Sequence, residues 1–175
     1  GFFHGCSGQA VVDDLLLGYA LCNDASILGE RIGDPTELAL LDMAAEFEIQ
    51  REHLEERFPR TQEIAFDSDR KMMTTLHRGE KESISYTKGS PDEILERATF
   101  LLEGGERIPM TLERRKVIDQ VIHTFTGEAL RVLALGMRNP ASGLTENGLT
   151  FIGVVGMADP IRPEAENAVQ EFYRA

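Results

Sequence analysis

The chain has 175 residues, 42% hydrophobic and 27% charged, and these proportions predict one folded globular domain rather than a disordered or fibrous chain. Its formal net charge of -12 argues against nucleic acid or an anionic membrane surface as the main partner, because both would repel it. No window approaches the roughly 20 consecutive apolar residues of a membrane-spanning helix, and neither the two cysteines nor the scattered histidines show the spacing of a metal site.

The first half of the chain is predicted to contain two helices followed by strands. Apolar residues at helical spacing indicate a first helix over Val11 to Leu21. The run Asp34-Pro35-Thr36-Glu37 supplies an N-cap, a first-position proline and a carboxylate at the capping-box position, so a second helix should begin there. Alternation with period two then predicts antiparallel strands from Gln62, over 72–78 and over 83–88.

Two further helices have clear start signals in the second half. Ser90-Pro91-Asp92-Glu93 repeats the capping pattern, so Ser90 is expected to cap a short helix that ends near Arg97. A small hairpin is predicted over 100–110. Thr111 should then cap a longer helix that closes at Gly127.

The end of the chain is predicted to contain two buried strands and a change of domain. Apolar stretches over 131–137 and 149–155 indicate the strands. Short antiparallel strands with helices between them predict an α+β fold, a mainly antiparallel twisted sheet flanked by helices, rather than a repeating βαβ sheet. Because prolines at 160 and 163 precede a helical run over 165–174, we expect one domain over 1–157, then a hinge and a neighbouring domain's first helix over 158–175.

Several residues have side chains suited to a nucleotide, although each also has a plain structural explanation. Phe66 could stack on a purine ring, whereas the alternating pattern alone favours a core phenylalanine. Lys71 and Lys88 suit phosphate oxygens, the base or the ribose, or are solvated strand-end lysines. Arg131 opens an apolar strand, where a charge needs either a ligand or a salt bridge.

Glu37 and Gly89 have two explanations in the same way. The capping-box position explains Glu37 without any ligand. Gly89 has no side chain that would block a ligand beside Lys88, or it is simply a turn glycine before the next helix. The residues alone leave both alternatives open.

Five stretches, in this order, resemble the nucleotide-binding domain of P-type cation-transporting ATPases, in particular the calcium-pump branch. Each would be weak by itself, but together they cover nearly the whole chain. They are Gly33-Asp34-Pro35-Thr36-Glu37, Phe66-Asp67-Ser68-Asp69-Arg70-Lys71, Lys88-Gly89-Ser90-Pro91-Asp92-Glu93, Arg131-Val132-Leu133-Ala134 and Asp159-Pro160-Ile161-Arg162-Pro163-Glu164.

The resemblance implies ATP as the ligand and a role for each site residue. Adenine would stack on Phe66, and Lys88 would line the inner wall of its pocket. Glu37 would accept from the adenine amino group, and Leu133 would add apolar contact. Lys71 and Arg131 would lie near the phosphates, with Arg131 as a clamp on the phosphate chain. Ser68 occupies a position where calcium pumps often carry an arginine, so one phosphate contact is expected to be missing. Replacing Phe66 or Lys88 by alanine is expected to weaken ATP binding and leave thermal unfolding nearly unchanged.

The resemblance also implies what the chain does not contain. An aspartate in a D-K-T-G motif accepts the γ-phosphate in this family, and the sequence has no such motif. We therefore expect a chain without catalytic residues or metal ligands that binds ATP without hydrolysing it. The phosphorylation domain would hold most of the Mg2+ contacts. That domain and the actuator domain of the same parent chain are the expected partners of a monomeric cytoplasmic domain from an integral membrane pump, with calcium as the ion by similarity.

Two other functions stay open. The segment Ile64–Asp69 also resembles the strand and D-x-D start of a haloacid-dehalogenase-type phosphohydrolase, with Asp67 as nucleophile and Asp69 as acid/base. Against it, Arg70-Lys71 follow where such enzymes have a small-residue turn. The second alternative is a non-catalytic interaction domain that has lost its ligand, which the composition does not exclude.

Overall fold

The computed structural model describes the backbone of residues 2–4, 9–158 and 173–174, and the side chains of residues 12–158. The helices are α1 (Gln9–Leu21), α2 (Pro35–Glu46), α3 (Arg51–Arg57), α4 (Pro91–Arg97) and α5 (Leu112–Gly127). The strands are β1 (Phe2–His4), β2 (Arg60–Asp67), β3 (Met72–Arg78), β4 (Ser83–Gly89), β5 (Ala98–Glu103), β6 (Glu106–Pro109), β7 (Leu130–Arg138), β8 (Leu149–Ala158) and β9 (Tyr173–Arg174).

The described strands form one nine-stranded sheet. Its main path runs β2-β3-β4-β7-β8-β1-β9, and the β5–β6 hairpin attaches to β8. Neighbours from β2 to β1 are antiparallel, whereas β5 on β8 and β9 on β1 are parallel. The predicted α+β class with a mainly antiparallel sheet is therefore confirmed.

The sheet separates two hydrophobic cores. One contains Leu15 and Tyr19 of α1 with Leu40 of α2, and the other contains Ile94 of α4 with Ile118 of α5. Successive strand side chains point to opposite faces, so neighbouring residues join different cores. The pairs that show this are Met72 with Met73, Ala134 with Leu135 and Val154 with Val155. Because both faces of the central strands are covered, their ends are the place where a polar site can form.

Most predicted helix starts are confirmed. Asp34 caps α2, since its Oδ1 accepts from the backbone N–H of Thr36 at 2.8 Å. Thr111 caps α5 by accepting from the N–H of Arg114 at 3.2 Å. The predicted capping by the Ser90 side chain is wrong: its hydroxyl makes no cap hydrogen bond. Only the backbone of Ser90 serves the helix, because its carbonyl accepts from the N–H of Ile94 at 3.0 Å.

Two differences concern helices. The sequence analysis predicted no helix at 51–57, where α3 forms without any buried residue. Most of the predicted helix over 165–174 lies outside the described residues, but its end is wrong, since residues 173 and 174 pair with β1 as β9. The reason is that β1 presents unpaired backbone groups at the sheet edge, which a neighbouring segment can satisfy.

The predicted hinge at Asp159 to Glu164 lies outside the described residues, so the domain boundary at 157 stays a prediction. Among the helices that the structure describes, none combines the length and the apolar character that crossing a membrane would require.

Candidate functional site

A cavity of about 330 Å³ opens at one end of the sheet. Because these strands are antiparallel, the last residues of β2 and β4 and the first residues of β3 and β7 lie at this same end of the sheet. The first turn of α2 covers it. The lining residues are Asp24, Asp34, Thr36, Glu37, Phe66, Lys71, Met73, Lys88, Gly89, Arg131 and Leu133. Every residue that the sequence analysis selected for a nucleotide therefore lies in one cavity.

The inner wall of the cavity contains a buried ion pair. Lys88 Nζ lies 2.8 Å from Glu37 Oε1, and the two side chains are only 7% and 16% exposed. Lys88 is therefore not a solvated strand-end lysine. The capping-box interpretation of Glu37 is wrong as well, because its carboxylate binds Lys88 across 51 residues of sequence while Asp34 caps the helix with its own side chain.

Asn23 fixes the turn of α2 that carries Glu37. Its side chain is fully buried, with Nδ2 donating to the carbonyl of Glu37 at 3.0 Å and Oδ1 accepting from the N–H of Ala25 at 2.8 Å. Arg60 donates to the Asn23 carbonyl at 2.8 Å and pairs with Asp24 at 2.7 Å. Nothing in the local sequence pattern indicated this, because Asn23 looked only like the end of a helix.

Phe66 forms the exposed side of the cavity. The side chain lies near the end of the edge strand β2 and is 61% exposed, so the alternative of a core phenylalanine is wrong. An edge strand has a neighbour on one side only, and the alternating pattern of β2 does not reach either core. The exposed part of the ring is thus available for stacking against a flat ligand.

The turn between β2 and β3 positions Lys71. Asp67 Oδ1 accepts from the N–H groups of Asp69 at 2.8 Å and Arg70 at 3.0 Å. The hydrogen bond from the Arg70 N–H, and to a smaller extent that from the Asp69 N–H, lowers the pKa of the Asp67 carboxyl. Lys71 ends the turn with a left-handed φ of 58°. Its side chain is exposed and forms no ion pair with any other described residue.

Arg131 closes the mouth of the cavity. Its Nη1 donates to Thr36 Oγ1 at 2.6 Å and so joins the start of β7 to the first turn of α2. A second cavity of about 450 Å³ lies beyond this contact, lined by Asp34, Pro35, Thr36, Ala39, Arg131, Met157 and Ala158. The sequence analysis assigned Asp34 and Thr36 only to the helix start and did not select them as site residues.

Comparison with known families decides where this chain belongs. A model of the family described as "P-type ATPase, cytoplasmic domain N" matches residues 11–164. The chain belongs to this N-domain family. The match begins within α1 and extends past the end of β8, so it covers the whole cavity.

Several relatives of this N domain are named calcium-transporting ATPases. It is 40% identical to Calcium-transporting ATPase 1 of Bacillus cereus over 167 residues, which is 92% of this chain and 19% of the relative. Identity is 34% with Calcium-transporting ATPase of Bacillus subtilis over 176 residues, covering 94% and 20% of the two chains. The N domain is 33% identical to Calcium-transporting ATPase 1 of Saccharomyces cerevisiae over 167 residues, which is 88% of this chain and 17% of the relative. The chain thus spans about a fifth of the length of such relatives.

The fold of the N domain argues against the phosphohydrolase that its D-x-D segment resembles. Asp67 ends an edge strand of an antiparallel sheet and accepts hydrogen bonds from its own turn. Between residues 12 and 158, no group of His, Cys, Asp and Glu side chains is arranged to hold a metal ion. The D-x-D pair therefore belongs to a hairpin turn.

Gly89 has a packing role that the sequence did not indicate. A Cβ added there would collide with the carbonyl oxygen of Lys71 and would lie 2.6 Å from Cβ of Met72. The N–H of Ser90 donates to the same Lys71 carbonyl at 2.9 Å. Gly89 is therefore needed so that the end of β4 can approach the start of β3, whatever occupies the cavity.

Proposed function

We propose that this cavity binds ATP and that the N domain presents the γ-phosphate to an aspartate in a phosphorylation domain of the same parent chain. The observation that carries the proposal is the cavity lining. Cations and an exposed aromatic ring from three separate parts of the sequence meet in one cavity of an acidic domain. A pocket with a few convergent polar groups on an apolar wall is the usual form of a ligand site.

Adenine and ribose fit the inner part of the cavity. Its volume of about 330 Å³ is at the lower end of the range of about 300–1,000 Å³ for ligand pockets, so the phosphates would lie outside it. Phe66 offers a ring face, and Met73 with Leu133 adds apolar contact. The paired Glu37 and Lys88 can still accept from and donate to polar edges of a base, because the ion pair leaves other lone pairs and protons unused.

The phosphates would run along the rim of the cavity. Lys71 is exposed, and Arg131 lies at the mouth. Because the domain carries a net charge of -12, these cations offset a repulsion that otherwise opposes a polyphosphate. Ser68 contributes no charge on this side. We expect modest affinity for the isolated domain, on the order of 0.1–1 mM.

The share of catalysis assigned to the N domain is positioning. The sequence has no D-K-T-G acceptor motif, so the aspartate that attacks the γ-phosphate and most contacts to Mg2+ belong to the phosphorylation domain. Holding the nucleotide in a fixed orientation lowers the entropic barrier for that transfer. Because several relatives are named calcium-transporting ATPases, we propose calcium as the ion that the parent pump moves. The actuator domain is the other proposed partner.

A titration monitored by amide chemical shifts tests the proposal. ATP should perturb the amides around Phe66 and Lys88 saturably, whereas tripolyphosphate should not reproduce the changes near the ring. Phe66→Ala should weaken ATP binding by about 5- to 150-fold, the range expected for losing one base–aromatic stack, while thermal unfolding stays nearly unchanged because the ring is 61% exposed.

Phe100→Ala is the matched control. Phe100 on β5 packs under the guanidinium of Arg107 on β6, with 4.5 Å from Cζ to the ring centroid, and it does not line the cavity. Its replacement should leave ATP affinity unchanged. If ATP left the cavity amides undisturbed, the domain would be a non-catalytic interaction module, which is the remaining alternative.

A further inference from the structure

The turn over residues 67–71 is held by the guanidinium of Arg70. Its Nη2 donates to the carbonyl of Ala65 at 2.9 Å and to the carbonyl of Met72 at 3.3 Å. These carbonyls belong to the two strands on either side of the turn. Arg70 thus fixes the separation between the end of β2, which carries Phe66, and the start of β3, which follows Lys71.

Arg70 is itself held by a residue from a distant loop. Glu146, in the loop over 139–148 between β7 and β8, lies 76 residues further along the chain. Its Oε2 accepts from Arg70 Nε at 3.1 Å and its Oε1 from Nη2 at 3.4 Å. The Glu146 side chain is only 11% exposed, so this pair is screened by water much less than a surface ion pair.

Glu146 is also anchored to the middle of the sheet. Its Oε1 accepts from Thr74 Oγ1 at 3.0 Å, and Thr74 Oγ1 in turn lies 2.9 Å from Thr87 Oγ1. Thr74 and Thr87 face each other on β3 and β4 and are fully buried. The carboxylate therefore links the exposed turn, through Arg70, to the buried central strands.

We propose that Glu146 and Arg70 are positioning residues for the nucleotide, an inference that rests on the proposed ATP site. Neither lines the cavity. They act by holding the turn so that Phe66 projects its ring and Lys71 its ammonium toward the ligand. A non-glycine residue with φ of 58° is retained only where surrounding contacts determine it, and Lys71 follows Arg70 directly.

Glu146→Gln tests this with a change of charge and almost none of shape. The variant should bind ATP about 3- to 10-fold more weakly, the size typical of coupling between residues in one network. Affinity is measured well below the unfolding midpoint, so that a lower melting temperature alone cannot reduce it. Amide hydrogen exchange without nucleotide should rise over 67–71 and stay unchanged in α5.

The matched control is Glu80→Gln. Glu80 pairs with Arg57 at 2.8 Å, with both side chains 64% exposed, at the opposite end of the β3–β4 hairpin. The same loss of charge there should leave ATP affinity unchanged. Arg70→Lys is a second variant, which keeps the net charge. It should show the same loss as Glu146→Gln, because one ammonium cannot span two carbonyls and a carboxylate.

A double-mutant cycle separates positioning from general stabilisation. In a Phe66→Ala background, Glu146→Gln should weaken binding by about 2-fold or less, because of the two groups that it positions only Lys71 is left. An equal loss in both backgrounds, or full ATP affinity in Glu146→Gln and Arg70→Lys, would overturn the inference. If the unmodified domain bound ATP and Phe66→Ala weakened it, the proposed function would still stand; if the unmodified domain did not bind, that function would fail first.

Discussion

The inner wall and the rim of the cavity differ in the burial and the pairing of their side chains. On the inner wall, Lys88 and Glu37 are buried and paired, and Asn23 fixes the backbone of that turn. On the rim, Phe66 and Lys71 are exposed. The paired groups of the inner wall therefore contribute to folding as well as to the proposed binding, whereas the exposed side chains of Phe66 and Lys71 are available to a ligand. Variants on the two sides should separate stability from affinity.

Lys88→Met should have the largest effect. It leaves the Glu37 carboxylate buried without its cation, which costs about 3 kcal/mol of unfolding free energy, and ATP binding should fall as well. Urea unfolding measures the first quantity and calorimetric titration the second. From the sequence alone, replacing Lys88 was expected to leave unfolding unchanged; burial of the ion pair reverses that expectation.

The double variant Glu37→Gln with Lys88→Met sharpens this result. Removing both charges should recover part of the stability that Lys88→Met loses, because no uncompensated buried charge remains. A double variant no more stable than Lys88→Met would show that the pair does not account for the loss.

Gly89→Ala should destabilise the fold by about 1–3 kcal/mol, the cost of forcing an atom into a packed region. The added Cβ meets the Lys71 carbonyl and Met72, so the strand ends must separate. Thermal unfolding is the measurement. Gly127→Ala is the control, because a Cβ there meets nothing within 4 Å, and a melting temperature lowered equally in both variants would contradict the packing role of Gly89.

Lys71→Ala tests the rim. The variant should bind ATP about 3- to 10-fold more weakly, as expected for one charge-assisted contact to phosphate. Adenosine binding and the unfolding free energy should not change, since the side chain is exposed and unpaired among the described residues. Equal losses for ATP and adenosine would place Lys71 against the base instead of the phosphates.

His77, at the other end of β3, gives the smallest effect and lies outside the cavity. The ring is buried, with Nδ1 3.0 Å from the Phe58 carbonyl and Nε2 2.8 Å from Thr75 Oγ1. Burial lowers its pKa from the ordinary value of 6.5. The folded state thus favours the neutral ring, so its contribution to stability is complete above pH 6.5 and falls as the pH drops below that value.

Unfolding free energies measured between pH 7.5 and pH 5.5 check this sign. His77→Gln should flatten part of the pH dependence. A steeper loss of stability in acid for His77→Gln than for the unmodified domain would contradict it.

The sequence by itself determined the features that depend on a few neighbouring residues. Prolines 35 and 91 begin helices where predicted, and alternating residues form the hairpin of β3 and β4. Helix α3 was missed because its only apolar residue is Leu54, so no hydrophobic period marks it. Short-range hydrogen bonds and side-chain periodicity fix such elements locally, and the quoted motifs sufficed to select residues that meet in one cavity.

Tertiary structure alone decided which of those residues are paired and which are exposed. Glu37 binds Lys88 51 residues away, Gly89 faces the start of β3, and Arg70 meets Glu146 across 76 residues. Phe66 is exposed because its strand, β2, lies at the edge of the sheet. Each of these facts follows from the order in which the strands pair, which brings together residues that are far apart in the sequence, whereas a local pattern relates only neighbouring residues.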